Sequence, residues 1–122
     1  MKKVVPEETK VPEETQSGDI VHIIGSGECD QLGLGVDKPL TARPLKIPYF
    51  VNATIEIQSI SCGGMHTAVL TGSGSVLTWG CNDEGVLGRD GPENEPIEVP
   101  LSDPIRLVAT GDSHTIVVTQ SD

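Results

Sequence analysis

Aromatic side chains are almost missing from this sequence: one Trp, one Tyr and one Phe in 122 residues. An interior so poor in rings must be filled by Val, Ile and Leu, and the branched members of that set favour strands. Positive charge is scarce as well, with eight Lys and Arg against eighteen Asp and Glu and a net charge of −10. Recognition of a phosphate backbone runs on clustered Lys and Arg, so this composition argues against the segment wrapping nucleic acid by itself. A basic partner surface is easier to accommodate. No apolar run approaches the roughly 20 residues of a membrane-spanning helix, and the N-terminal "MKKVVPEETKVPEET" lacks the apolar centre of a secretory signal. The chain reads as soluble and intracellular, with no membrane partner. Its three cysteines, Cys29, Cys62 and Cys81, are isolated, with no C-x-x-C pair. They read as reduced, partly buried thiols and not as zinc ligands or a redox couple.

Glycine and proline, by contrast, are plentiful, at fourteen and nine. They punctuate short apolar runs from Gly18 onward, which is the pattern of strands and turns, and helical periodicity is absent. Before Gly18 the segment "VPEET" occurs at 5–9 and again at 11–15. It is polar, Pro-broken and offers little to bury, so residues 1–17 are expected to be a disordered tail.

The remainder is written twice. "ISCGGMHTAVLT" (60–71) aligns with "VATGDSHTIVVT" (108–119), pairing Gly63 with Gly111, His66 with His114 and Thr67 with Thr115. Upstream, "VHIIGSGECDQLGLG" (21–35) aligns with "VLTWGCNDEGVLGRD" (76–90), pairing Gly25 with Gly80 and Gly33 with Gly88. The histidine elements are spaced by 48 residues and the glycine-rich elements by 55, so the first unit has the longer internal connection. Two repeats follow, 18–72 and 73–122. "IEIQSI" (55–60) shows the alternation of a half-buried strand, and "IRLVA" (105–109) holds the same place in the second unit. All-β units of this size, with turns between the strands, suggest propeller blades.

Recurrence also weighs the candidate residues. His66 and His114 recur at one place in each unit, which marks them as scaffold, with ring nitrogens bonded to neighbouring backbone. Gly63 and Gly111 belong to the same recurring turn. Trp79 aligns with Ile24 and is expected to fill a gap between blades. Asp112 differs: it aligns with Gly64, so a capping duty common to both repeats would be hard to meet. An Asp entering a strand often caps its own turn through a side-chain to backbone bond, and that alternative stands beside a partner contact. The glycines of "GSGECDQLGLG" do not make a nucleotide loop, because G-x-G-x-x-G fails at Asp30 and no G-K-[ST] follows. With no G-x-S-x-G or H-E-x-x-H either, no catalytic constellation, cofactor or metal site is expected.

"GGMHT", "GCNDEGVLGRD" and "GDSHT", in this order and spacing, resemble the N-terminal repeats of the regulator-of-chromosome-condensation family. The resemblance covers about residues 18–119. It implies a seven-bladed β-propeller, of which this chain supplies about two blades. It also implies a function: guanine-nucleotide exchange on the nuclear GTPase Ran at chromatin, by displacement of GDP without covalent chemistry. Histones and the nucleosome are the implied partners of the full propeller, and the nucleus is the implied location. Asp112 stands at the acidic position of the family's "GDSH" turn, implied to act in exchange, and Glu28 at an acidic position of the first glycine-rich loop on the same face. The histidine essential to turnover in the family lies in a later blade. The family's basic, DNA-touching tail is not reproduced, since residues 1–17 carry three Lys against four Glu. The rival expectation is a truncated, non-catalytic propeller fragment serving as a protein–protein interaction module.

Overall fold

The computed structural model describes residues 17–120. The expectation of a disordered tail over 1–17 therefore falls, except for Ser17, outside the described residues. Within them the chain forms eight strands: β1 (His22–Ser26), β2 (Leu40–Lys46), β3 (Ile57–Cys62), β4 (His66–Thr71), β5 (Val76–Gly80), β6 (Ile97–Glu98), β7 (Ile105–Thr110) and β8 (Thr115–Thr119). A short 3-10 turn, Pro48–Phe50, follows β2.

The strands form three sheets, β1-β2, β3-β4-β5-β6 and β7-β8, each with antiparallel neighbours. The sheets are staggered against the sequence repeats. The first repeat places β1 and β2 in one sheet and β3 and β4 in the next, and the second repeat divides its four strands in the same way. One complete four-stranded blade is thus flanked by two half-blades.

β4 and β5 form the centre. Both are buried at every position, because a sheet lies against each of their faces. Alternation along a strand then sends successive side chains to different interfaces. Val69, Leu77 and Trp79 join Ile47 and Phe50 in a cluster facing β1 and β2, with Val21 and Ile23 packed against it. Ala68, Leu70 and Val76 turn the other way and meet Ile105, with Val108 and Val117 alongside. Trp79 accordingly fills the first interface, with its ring 6.2 Å from that of Phe50 in an edge-on arrangement. Its Nε1–H donates to the Gln31 carbonyl at 3.0 Å.

The alternation read at 55–60 does not run cleanly through β3. The β3–β4 register shifts between Ile57 and Ser59, which returns Ile60 to the face of Ile57; there Ile60 is 49% exposed, while Ile55 and Ile57 pack on the core. β7 shifts at the matching place, between Ile105 and Leu107, burying the first and leaving the second 53% exposed. A shift of this kind reverses which face an alternating pattern serves.

Candidate partner-binding site

The connection after β1, the β3–β4 turn, the connection after β5 and the β7–β8 turn all lie at one end of the sheets. His66 at the start of β4 pairs with Gly80 at the end of β5, and Ser26 and Gln31 share a small cavity with Gly63, Gly64 and Met65. Segments 27–39, 81–96 and 111–114 carry nine Asp and Glu against Lys38 and Arg89. Half of the chain's acidic residues are therefore concentrated at this end.

Each recurring turn is built by its histidine folding back on its first glycine. A Cβ on Gly63 would strike the His66 imidazole, and one on Gly111 would strike that of His114. The turns close through Gly63 N–H to His66 O at 2.8 Å and Gly111 N–H to His114 O at 2.9 Å. Their histidines nevertheless differ. His66 is buried, and its ring nitrogen meets a side chain of the next sheet where backbone was expected: Nε2 lies 2.8 Å from Thr115 Oγ1. Thr115 donates its own proton to the Val86 carbonyl at 2.9 Å. The hydroxyl has one proton, so Nε2 carries the hydrogen and donates to Thr115. Burial lowers the His66 pKa below its ordinary value, His114 reinforces the shift, and Asp112 opposes it. His114, in the outer half-blade, is exposed.

Asp112 is exposed as well, at the junction of the two repeats. Among the described residues its carboxylate receives a long bond from the Ser113 hydroxyl, 3.4 Å to Oδ2, and no backbone N–H. It lines a cavity of about 200 Å³ together with Met65, His66, Cys81, Asp83, Glu84 and Val86. Glu28 does not reach this cavity. It lies exposed in the connection after β1, with its backbone N–H 3.4 Å from Ser26 Oγ, and the Gly63–Met65 turn separates it from Asp112. In the repeat alignment Glu28 is the counterpart of Asp83, so both connections present an acid at the same position.

Sequence reasoning passed over Asp83, Glu84 and Arg89. Glu84 was legible as a loop acid that departs from its counterpart Cys29, and Asp83 as a loop acid that recurs opposite Glu28. Arg89 was not, because Leu34 is its counterpart. Its guanidinium is buried and bonds five carbonyls: Thr78 at 2.7 Å, Pro92 at 2.6 Å, Glu95 at 3.0 Å, Gly91 at 3.2 Å and Asp90 at 3.4 Å. One cation thereby organises the whole acidic loop. Burial lowers its pKa, opposed by Glu93 and Glu95, yet a guanidinium stays charged. Asn82 N–H donates to Glu93 Oε1 at 2.7 Å and Asn82 Oδ1 accepts from Leu87 N–H at 3.0 Å, completing the loop.

The Asp30 carboxyl is pushed up by burial and by the nearby Glu93 and Asp37. At Cys81 the Asp83 backbone N–H favours the thiolate, but burial and the Asp83 carboxylate together outweigh it and raise the thiol pKa. Asp30, where the nucleotide-loop pattern fails, has φ +64°, and its counterpart Gly85 has φ +73°. The position demands a left-handed backbone, which Asp tolerates better than most residues. A larger cavity of about 600 Å³ opens at the opposite end, between Tyr49, Glu56, Thr71 and Glu98, and none of the residues singled out in the sequence lines it. Among the described residues no group of three or more His, Cys, Asp or Glu is placed to hold a metal.

Comparison with known sequences decides the family. A profile described as "Regulator of chromosome condensation (RCC1) repeat" matches residues 18–70 and 73–118. The chain belongs to the regulator of chromosome condensation repeat family. The RCC1 protein of Xenopus laevis is 41% identical over 97% of this chain, and the human one is 40% identical over 82%. This chain spans only 28% and 24% of those relatives' own lengths. The fold agrees. The crystal structure of Prp20p from Saccharomyces cerevisiae, reported with its binding properties to Gsp1p and histones, superposes with a TM-score of 0.73 at 26% identity. That match covers 92% of this chain and 30% of Prp20p, so the three sheets are a fragment of an RCC1-type propeller with a few blades.

Proposed function

We propose that this chain is part of a guanine-nucleotide exchange factor for Ran, working in the nucleus at chromatin, with Asp112 as its principal contact and Glu28 as a second. What carries the reading is the state of Asp112. Its carboxylate is exposed beside an acid-lined cavity between two repeats and, among the described residues, has no backbone bond that would make it a turn cap. A carboxylate so placed is available to a cationic or hydrogen-donating group near the GTPase nucleotide site, where it acts by electrostatic and steric displacement. Histones, bound by the similar Prp20p, are the second partner class, and their basic character suits the acidic loop end.

The experiment is to add the 122-residue chain to Ran loaded with a fluorescent GDP and to record both binding and nucleotide release. Release above the intrinsic rate is the outcome of the exchange reading. Binding without faster release would leave an interaction module. No binding at all would remove Ran as partner. Hydrogen bonds to a charged group are worth roughly 1.5–3 kcal/mol, so Asp112→Ala weakens the Ran complex about 10- to 150-fold.

A further inference from the structure

The recurring turns differ at their second position, Gly64 in one and Asp112 in the other. No backbone requirement explains the glycine, because Gly64 lies outside the left-handed region and a side chain could adopt its conformation. Space explains it. A Cβ on Gly64 would run into Oδ1 of Asp112, with Asp112 Cγ and the Asp112 carbonyl oxygen each 3.1 Å away. The Asp112 side chain therefore leans across the sheet boundary and rests on the bare backbone of the preceding turn, close enough to His66 to bear on its titration. Turned elsewhere, an exposed Asp would be free to sample its rotamers, with only the long Ser113 bond to hold it.

We propose that Gly64 is a positioning residue: by lacking a side chain it admits the Asp112 carboxylate to the boundary between the repeats and fixes where that charge is presented. The two turns thus have unlike duties within one design, the first providing the recess and the second the group that enters it. The proposal rests on the reading of Asp112 as a partner contact, and its test has one arm that needs no partner. A methyl at position 64 has two ways to be accommodated. Either the carboxylate swings outward or the two turns separate, and both depend on Asp112 being present.

Three variants of the 122-residue chain decide it: Gly64→Ala, Asp112→Ala and the pair together. In thermal unfolding, Gly64→Ala lowers the midpoint, and adding Asp112→Ala restores most of the loss, since the obstructing carboxylate is gone. By NMR, Gly64→Ala moves the His66 titration downward in the direction that Asp112→Ala moves it, because the carboxylate opposing the shift has left; His114, Cys81, Asp83 and Glu84, the other ionisable groups around that ring, are kept in every variant. Toward Ran, Gly64→Ala weakens binding by a factor approaching that of Asp112→Ala, and the double variant is no weaker than Asp112→Ala. The proposal is overturned if Gly64→Ala loses the same midpoint with or without Asp112 and leaves His66 titrating as before. If the stability coupling and the His66 shift are present but no variant alters Ran binding, the positioning holds and the partner assignment of Asp112 falls. Should Gly64→Ala alone fail to fold, recovery of folding in the double variant supports the positioning, and continued failure overturns it.

Discussion

His66 Nε2 and Thr115 Oγ1 are 2.8 Å apart across a sheet boundary and 49 residues apart in the chain. Ser61 Oγ and Thr110 Oγ1, also 2.8 Å apart, have the same separation of 49. Each bond joins a residue of one repeat to the position one beyond its counterpart in the next. Thr115→Val removes the acceptor for a buried imidazole and the donor to the Val86 carbonyl together. Leaving buried groups unpaired costs about 1–3 kcal/mol each. At roughly 4 °C per kcal/mol, where the ranges for smaller and larger domains meet, the two together are expected to lower the melting midpoint by about 8–24 °C. A midpoint within 2 °C or so of the parent, the scatter of a melting curve far below that range, would show that the bond does not hold the sheets together.

The same bond makes stability depend on pH. Burial depresses the folded-state pKa of His66 below its ordinary 6.5. The unfolded state consequently binds more protons than the folded state between the two pKa values. The stabilising effect is fully present above 6.5 and is lost as pH falls toward the folded pKa. Urea unfolding between pH 8 and 5 is expected to show stability declining on acidification below about 6.5, with the decline flattened in His66→Gln. A slope identical in the two proteins would assign it to other groups.

Arg89 supports a local prediction. Lys in its place has one ammonium and cannot reproduce the planar fork that reaches five carbonyls. Arg89→Lys is expected to cost about 3 kcal/mol or more, as breaking a buried network usually does. Hydrogen exchange checks the location: protection of the amides in 82–96 falls sharply, while those of β3 and β4 change only with global stability. Uniform loss across the chain would contradict the assignment of Arg89 to that loop.

Trp79, the single tryptophan, provides an internal probe. It is fully buried and donates to Gln31 O across the first interface. Its emission is expected to shift to longer wavelength on unfolding. Trp79→Phe gives up both the Gln31 bond and part of the packing on Phe50, at a cost of roughly 2–4 kcal/mol. An emission maximum already at the solvent-exposed position in native buffer would contradict the packing of β1 and β2 on the central sheet.

Much of this arrangement was legible before any coordinates. Two separate self-alignments gave the period, and the Val, Ile and Leu runs between glycines gave strands. The phase was not legible, because a repeat fixes how often a pattern recurs and leaves open where one sheet stops and the next begins. The exposure of Leu107 escaped for a local reason: a register shift breaks the alternation within a strand that looks regular in sequence. At the site, Asp112 was found from the acidic position of the family's "GDSH" turn, supported by its departure from its counterpart Gly64, but that the two would meet in space required the stacking of the sheets. Thr115 was visible only as a recurring residue, since its partner lies 49 positions away.

The stagger between repeats and sheets has a consequence for how such a chain can change in length. Gly63 and Gly111 occupy equivalent turns 48 positions apart. Excising the stretch between them would lead the chain directly from β3 into β8, and these strands meet the same geometric demands as the native β3–β4 hairpin. The cut would pass through two different sheets and leave neither ragged, since each lost half is replaced by its equivalent. Gain or loss of one period can therefore occur at any breakpoint, with no need for the ends to coincide with a sheet boundary, and a ring built this way can add or shed a blade through an ordinary misaligned recombination.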